Sequence, residues 1–118
     1  AYDDPAGVTA EFNRNVLRVL NRELDGDFVA ERFEHVARWD PDEQWIEMHL
    51  RSLGRQHARL GALALDLDFA DGELVHTEIS AKFTRGRLEG ELIAAGLALD
   101  QVLTDAADDF AVSLSVKP

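Results

Sequence analysis

The sequence predicts an α+β fold, in which an antiparallel sheet with a covering helix is followed by a helix–strand–strand unit. Three observations support this prediction. An amphipathic helical pattern opens the chain, alternating strand patterns fill its middle, and helical periodicity returns only after residue 83. The length of 118 residues suits one domain or a part of a larger one.

The first predicted helix begins at Thr9, a good N-cap residue, and Gly26 is its stop signal. A short turn or helix is expected next, at residues 27–32. The apolar residues that recur at helical spacing, and that we expect to face the core, are Phe12, Val16, Val19, Leu20 and Leu24.

Alternating strand patterns follow the helix. Two such runs, at residues 33–39 and 45–53, flank turn residues and predict a β-hairpin. Further strands are predicted at residues 56–60, 63–69 and 74–82. Within the segment 63–69, Asp66 and Asp68 alternate with apolar residues and are expected to be solvated, as on the outer face of a half-buried strand.

The pattern changes near residue 83, which indicates a second structural unit. Thr84 is placed to cap a second helix, and Gly96 is placed as the glycine that follows a helix C-cap. Two strands, at residues 97–103 and 110–116, complete this unit.

Composition excludes several classes of function. The 23 acidic and 12 basic side chains give a formal net charge of −11, which disfavours binding to nucleic acid and to anionic membranes. Cysteine is absent, so disulfides, thiolate metal sites and a cysteine nucleophile are excluded. No signal peptide or apolar span of membrane length is visible, and a cytoplasmic protein is therefore the expectation.

No motif in these residues predicts catalysis or metal binding. Gly-x-Ser-x-Gly, Walker-type and Gly-x-Gly-x-x-Gly patterns are missing, so no phosphate or dinucleotide loop is expected. The histidines lie on different predicted strands without metal-site spacing, and we expect them at the surface. They are His35, His49, His57 and His76.

The candidate binding segment is the strand around Glu78. Successive strand side chains point to opposite faces, so Glu78 and Ser80 share one face, while Thr77 and Ile79 share the other. If Ile79 marks the core side, a carboxylate and a hydroxyl lie side by side on the outer face. Such a pair can hold a small polar ring through two hydrogen bonds. The alternative interpretation is a solvated strand face, since most exposed Glu side chains have no other role.

Three further residues take their simplest interpretation from local pattern. Met48 alternates with apolar neighbours and is assigned to the core. Phe12 is likewise assigned to the core face of the first helix. Tyr2 precedes that helix in a loop, and the pattern gives it no core role.

Five segments of the chain carry a similarity to a known family, in collinear order: residues 1–17, 33–37, 45–48, 77–83 (Thr-Glu-Ile-Ser-Ala-Lys-Phe) and 110–114. These segments resemble the histidine-specific methyltransferases that use S-adenosylmethionine (SAM). That family converts L-histidine to hercynine in ergothioneine biosynthesis, and the similarity covers essentially the whole chain. Because the chain starts in loop-like residues without Met, we expect it to be the C-terminal part of a longer enzyme.

The resemblance implies roles for individual residues. Glu78 and Ser80 match residues that hydrogen-bond the imidazole ring of the substrate. Met48 matches a residue that lines the imidazole pocket, and Phe12 would lie near it. Tyr2 matches a tyrosine close to the amino-acid moiety. All of these are implied binding residues, and none is a proton-transfer catalyst.

The resemblance also implies a domain division. Residues 1–82 would belong to a substrate-binding domain, and residues 83–118 would supply the last helix and two strands of a methyltransferase domain with a Rossmann-like fold. The acidic, glycine-rich cofactor loop of the family is absent from these residues. SAM would therefore bind only in the full-length parent, and the isolated chain is expected to be inactive.

Two other interpretations remain open. One is a free-standing, non-catalytic module that binds a small ligand or a partner protein. The other is a structural fragment that dimerises through exposed strand edges, at residues 63–69 and 110–116. From the residues alone, the substrate of the parent is histidine or another amino acid.

Overall fold

The structure is a computed structural model that describes residues 1–118. The residues divide into two compact units, Ala1–Ala81 and Lys82–Pro118. The predicted α+β class is confirmed, with antiparallel sheets and two helices. The sequence places the boundary between residues 82 and 83, and the part that each unit plays in a larger protein stays a prediction.

The first unit opens with helix α1, Val8–Leu24. Asp4, rather than the expected Thr9, supplies the cap: its carboxylate accepts hydrogen bonds from the backbone N–H groups of Val8 at 3.0 Å and Thr9 at 2.9 Å. Gly7, at φ 73°, turns the chain into the helix. Two N–H groups that have no partner within the helix are thereby satisfied.

The buried stripe of α1 differs from the expected one. Asn13 and Leu17 are its buried residues, and Leu20 and Leu24 pack against the core. These four positions recur every three or four residues and define the face turned toward the sheets. Phe12 lies beside this stripe, so the expectation that it is a core residue is wrong, and its side chain is 65% exposed.

Five strands follow α1 in the first unit. They are β1 (Phe33–Asp40), β2 (Trp45–Ser52), β3 (Gln56–Leu60), β4 (Leu65–Phe69) and β5 (Leu74–Ala81). The predicted hairpin of β1 and β2 is confirmed. A short 3₁₀ turn is found at Ala30–Arg32 as expected, and a second at Gly61–Leu63 leaves Leu63 outside β4. Asp66 and Asp68 of β4 are exposed, as expected.

The strands form two sheets instead of the one predicted. One sheet has the order β1–β2–β5, and β3 pairs only with β4. At the turn before β5, Ser52 donates a backbone hydrogen bond to Glu73 and accepts one from Gly72, each at 2.9 Å. These bonds bring the start of β5 to the end of β2, which makes β5 an edge strand.

The core of the first unit contains three phenylalanines in mutual contact. The ring centroids of Phe28, Phe33 and Phe69 lie 5.5 to 6.1 Å apart, at angles typical of edge-to-face packing. The other buried residues of this cluster are Leu17, Ala30, Leu50, Ala58 and Leu60. Because α1, β1 and β2 all contribute to this core, it fixes which face of the β1–β2–β5 sheet α1 covers.

The second unit consists of one helix and two antiparallel strands, α2 (Arg85–Ala94), β6 (Ala98–Thr104) and β7 (Ala111–Val116). Thr84 caps α2 as predicted, since its side-chain oxygen accepts a hydrogen bond from the backbone of Arg87 at 3.2 Å. Gly96 follows the helix at φ 75°, as predicted. No residue of this unit is buried. Neither helix of the chain is long and apolar enough to cross a membrane.

His49 of β2 is buried, 7% exposed, which contradicts the surface position expected for the histidines. Its ring stacks on that of His76 in β5, with centroids 4.7 Å apart, and its Nδ1 is buried without a hydrogen-bond partner. Burial, and secondarily His76, lower the pKa of His49, and Glu47 opposes this effect only in part. The folded protein therefore favours a neutral His49.

The free energy of unfolding should fall as the pH drops below about 6.5, the ordinary pKa of histidine. The unfolded chain takes up a proton at His49 there, whereas the folded chain resists it because its pKa is lowered. His49→Phe, which keeps an aromatic ring against His76, should lose less stability than the wild type between about pH 7.5 and 5.5 in urea denaturation. Equal losses in the two proteins would contradict a buried neutral His49.

Asp4 should stabilise the N-terminal segment in a pH-dependent way. Hydrogen bonds from Thr9, and then Val8, lower the pKa of Asp4 to about 2, so its stabilising effect is present above the ordinary pKa of 3.8 and is lost as the pH falls toward 2. Asp4→Asn should lower the thermal midpoint at pH 7, and the difference from wild type should shrink at about pH 3. Asp3→Asn, an exposed neighbour, is the matched control; an equal effect at both positions would refute the capping role.

Candidate functional site

Glu78 and Ser80 lie on the face of the β1–β2–β5 sheet that α1 covers. Glu78 is paired with Met48 of β2, and Met48 shares a face with Leu50, because alternate residues of a strand point the same way. Leu50 belongs to the core. The premise that Ile79 marks the core side is wrong, since Ile79 is 43% exposed and projects from the opposite face.

A β-bulge in β5 causes this difference. His76 is paired with His49 and Glu78 with Met48, so the intervening Thr77 has no partner on β2. One extra residue reverses the alternation of side chains along the rest of the strand. The bulge therefore turns Glu78 toward α1.

A hollow separates this part of β5 from α1. It has a volume of about 210 Å³, and its lining residues are Phe12, Asn13, Asn15, Val16, Thr77 and Glu78. The Glu78 side chain is exposed, and no residue of the chain donates a hydrogen bond to its carboxylate. Both carboxylate oxygens can therefore accept hydrogen bonds from a ligand in the hollow.

Ser80 is tied to the N-terminal segment. Its Oγ lies 3.0 Å from the Oη of Tyr2, and the backbone carbonyl of Tyr2 accepts a hydrogen bond from Nε2 of His35 at 2.7 Å. Since a carbonyl only accepts, Nε2 of His35 carries the proton, and Nδ1 accepts from the Asn13 amide at 2.9 Å. The same amide group donates to the His49 carbonyl at 3.0 Å. These bonds connect α1, β1 and β2 to the segment that carries Tyr2.

The residues singled out from the sequence thus occupy one patch of the first unit, in which only Phe12 and Glu78 line the hollow. Met48 is 2% exposed, as expected of a core residue, and lies opposite Glu78. Tyr2 contacts Ser80, and Phe12 lines the hollow beside Glu78. The part these residues play in binding a substrate stays a prediction.

Sequence reasoning does not single out Asn13, Asn15 or Thr77. Asn13 carries a detectable signal, because it lies four residues before Leu17 on the buried stripe of α1, where a polar side chain is unusual. Thr77 carries none because the pattern of alternating residues does not reveal a bulge. Asn15 carries none because the face of α1 that borders the hollow depends on the position of β5.

The remaining titratable groups do not form a metal centre. No set of three or more histidine, aspartate or glutamate side chains is placed to hold a metal ion. The exposed His57 bonds to two carboxylates of β4, Asp68 at 3.0 Å and Asp66 at 3.2 Å. The bond to Asp68 is the main cause that raises the pKa of His57, and this group is an exposed ion cluster on the β3–β4 ladder.

Comparison with known proteins connects this site to a family. The family described as "Histidine-specific methyltransferase, SAM-dependent" matches residues 1–117. Two curated relatives, both named histidine N-alpha-methyltransferase, come from Mycobacterium tuberculosis (strain CDC 1551 / Oshkosh) and Mycolicibacterium smegmatis (strain ATCC 700084 / mc(2)155). They are 56% and 55% identical to this chain over 117 residues, which is 99% of the chain.

The chain spans 36% of the length of each of these relatives. The family match nevertheless extends over all of the chain except its last residue. It includes both structural units and every residue of the patch around Glu78. The chain therefore belongs to the family of histidine-specific, SAM-dependent methyltransferases.

Proposed function

We propose that the chain is the C-terminal part of an enzyme that transfers methyl groups from SAM to the α-amino group of L-histidine. The product would be hercynine, in ergothioneine biosynthesis, and this part of the enzyme would recognise the imidazole ring. One observation carries the proposal. A carboxylate without a partner in the chain, Glu78, and a hydroxyl, Ser80, project side by side from the face that α1 covers. Membership of the family supports it.

The chemistry of the pair suits an imidazole ring. The Glu78 carboxylate accepts a hydrogen bond from one ring N–H, and the Ser80 hydroxyl donates to or accepts from the other ring nitrogen. Amino acids without these nitrogens would leave the polar groups of the site unpaired, and that penalty is the basis of strong discrimination. The hollow of about 210 Å³ is smaller than the pockets of drug-sized ligands, as one small ring requires.

The neighbouring side chains would form the walls of this pocket. Met48 presents a buried apolar side chain opposite Glu78. Phe12 lines the hollow with a ring that is mostly exposed, so a bound imidazole would cover apolar surface on Phe12. Tyr2, bonded to Ser80, would lie toward the amino-acid moiety of the substrate.

We assign no part of the methyl-donor site to the hollow beside Glu78. The hollow beside Glu78 is too small for a nucleoside with its methionine side chain, and no glycine-rich cofactor loop is present. SAM would be held by the rest of the parent protein. The contribution of this chain is to bind and orient histidine, because placing two reactants in a productive geometry is a large part of group-transfer catalysis.

The second unit would complete a larger sheet. It consists of one helix and a two-stranded ladder with no buried residue, and such a ladder is marginally stable by itself. We assign it to the end of the methyltransferase domain, with a Rossmann-like fold, and the first unit to the substrate-binding domain. This division accounts for the separate hydrophobic core of the first unit.

Glu78→Ala in the full-length protein should weaken L-histidine binding by about 10- to 100-fold, the usual cost of losing a hydrogen bond to a charged group. Isothermal titration calorimetry measures this affinity directly. The affinity for SAM should remain unchanged, because Glu78 does not contribute to the donor site.

Glu89→Ala is the matched control, since Glu89 is an exposed carboxylate on α2 in the second unit. It should leave histidine affinity at the wild-type value. Unchanged affinity in Glu78→Ala would refute the assignment. Histidine binding by the isolated 118-residue chain would instead favour the free-standing binding module.

Tyr2 and Ser80 should act as a unit. Each of the single variants Tyr2→Phe and Ser80→Ala should weaken histidine binding by about 3- to 10-fold, as expected for one neutral hydrogen bond. The double variant should lose less than the product of the two single effects, because both remove the same contact. Strictly multiplicative effects in calorimetry would show that the Tyr2–Ser80 bond does not contribute to binding.

A further inference from the structure

Side chains alternate differently at the two ends of β5. Before Thr77 the odd-numbered residues face α1, and after it the even-numbered residues do. Val75 lies opposite Leu50 and packs against the core, and Glu78 lies opposite Met48 on the same face. Val75 and Glu78 are separated by an odd number of positions, so a regular strand would place them on opposite faces. The unpaired Thr77 makes both placements compatible.

The apolar pattern of β5 favours the regular strand over the bulged one. Without the bulge, Val75, Thr77 and Ile79 would all face α1, and Glu78 would face away. Register is normally set by burial of the apolar side chains. Here the more apolar Ile79 is left exposed and Glu78 takes the covered face. An additional interaction must therefore stabilise the bulge.

Thr77 supplies that interaction. Its hydroxyl donates a hydrogen bond of 2.9 Å to the backbone carbonyl of Met48, the residue paired with Glu78. A bulge disrupts the regular ladder, and a backbone carbonyl at a buried residue is costly to leave without a partner. The bond therefore holds Thr77, the extra residue, against β2 at the point where the direction of alternate side chains reverses.

We propose that Thr77 is a positioning residue for histidine recognition, because its hydroxyl anchors the bulge that turns Glu78 into the hollow. The inference rests on the proposed function of Glu78 and extends it to the backbone feature that directs the carboxylate. Thr77 acts through Glu78 and needs no contact with the ring. β5 is an edge strand with a partner on one side only, so this bond has no second neighbouring strand to support it.

Two variants of Thr77 separate its hydroxyl from its shape. Thr77→Val keeps the branched side chain and removes the donor, whereas Thr77→Ser keeps the donor. In the full-length protein, Thr77→Val should weaken L-histidine binding by about 3- to 10-fold in isothermal titration calorimetry, and Thr77→Ser should retain near wild-type affinity. SAM affinity should not change in either variant. Thr104→Val, at the end of β6, is the matched control and should bind histidine as the wild type does.

A double-mutant cycle distinguishes positioning from a general structural effect. In a Glu78→Ala background the carboxylate is gone, so adding Thr77→Val should weaken histidine binding by a smaller factor than it does in the wild-type background. This inference alone would be overturned if Thr77→Val leaves histidine affinity unchanged in the wild-type background. It would also be overturned if Thr77→Val weakens histidine binding by the same factor in both backgrounds. If Glu78→Ala itself leaves affinity unchanged, the proposed function fails, and this inference fails with it.

Discussion

One constraint shapes the first unit. The edge strand β5 directs one side chain into the core and another into the hollow from the same face of the sheet. Val75 packs against the core opposite Leu50, and Glu78 faces α1, although regular alternation forbids both placements. The unpaired Thr77 resolves the conflict by exposing Ile79. A local arrangement that sacrifices apolar burial to direct a carboxylate is typical of functional sites, where local rules are violated and compensated elsewhere.

A second set of hydrogen bonds orders the side of the site that α1 and the N-terminal segment form. A buried amide is tolerated when its hydrogen bonds are made, and both donors of the Asn13 side chain have partners, His35 and the His49 carbonyl. His35 in turn fixes the backbone of Tyr2. A loop residue is thereby held by secondary-structure elements, which is how a site gains precision that a free loop cannot provide. The Asp4 cap secures the same segment at the start of α1.

The sequence was sufficient to predict where the helices and strands form, but not which face of each strand is buried. The β1–β2 hairpin and the Thr84 cap depend on local turn and capping chemistry, which short segments contain in full. The division into two sheets depends on the pairing of β5 with β2, a contact between distant residues. Alternation placed Glu78 and Ser80 on one face, and a family resemblance supplied their roles and added Met48 and Tyr2. The premise that Ile79 marks the core side was wrong. Residue spacing cannot reveal a bulge, because the extra residue is defined only by the partner strand.

The surroundings of Glu78 determine how strongly its carboxylate can hold a ligand. Exposed to water, such a group gains little from a hydrogen bond, because water competes for it. The same bond becomes stronger when the site is closed and water is excluded. Phe12 leaves an apolar ring beside the carboxylate, ready to be covered in such a closed site. A hydrogen bond from a ligand to Glu78 would therefore be strongest in such a closed site.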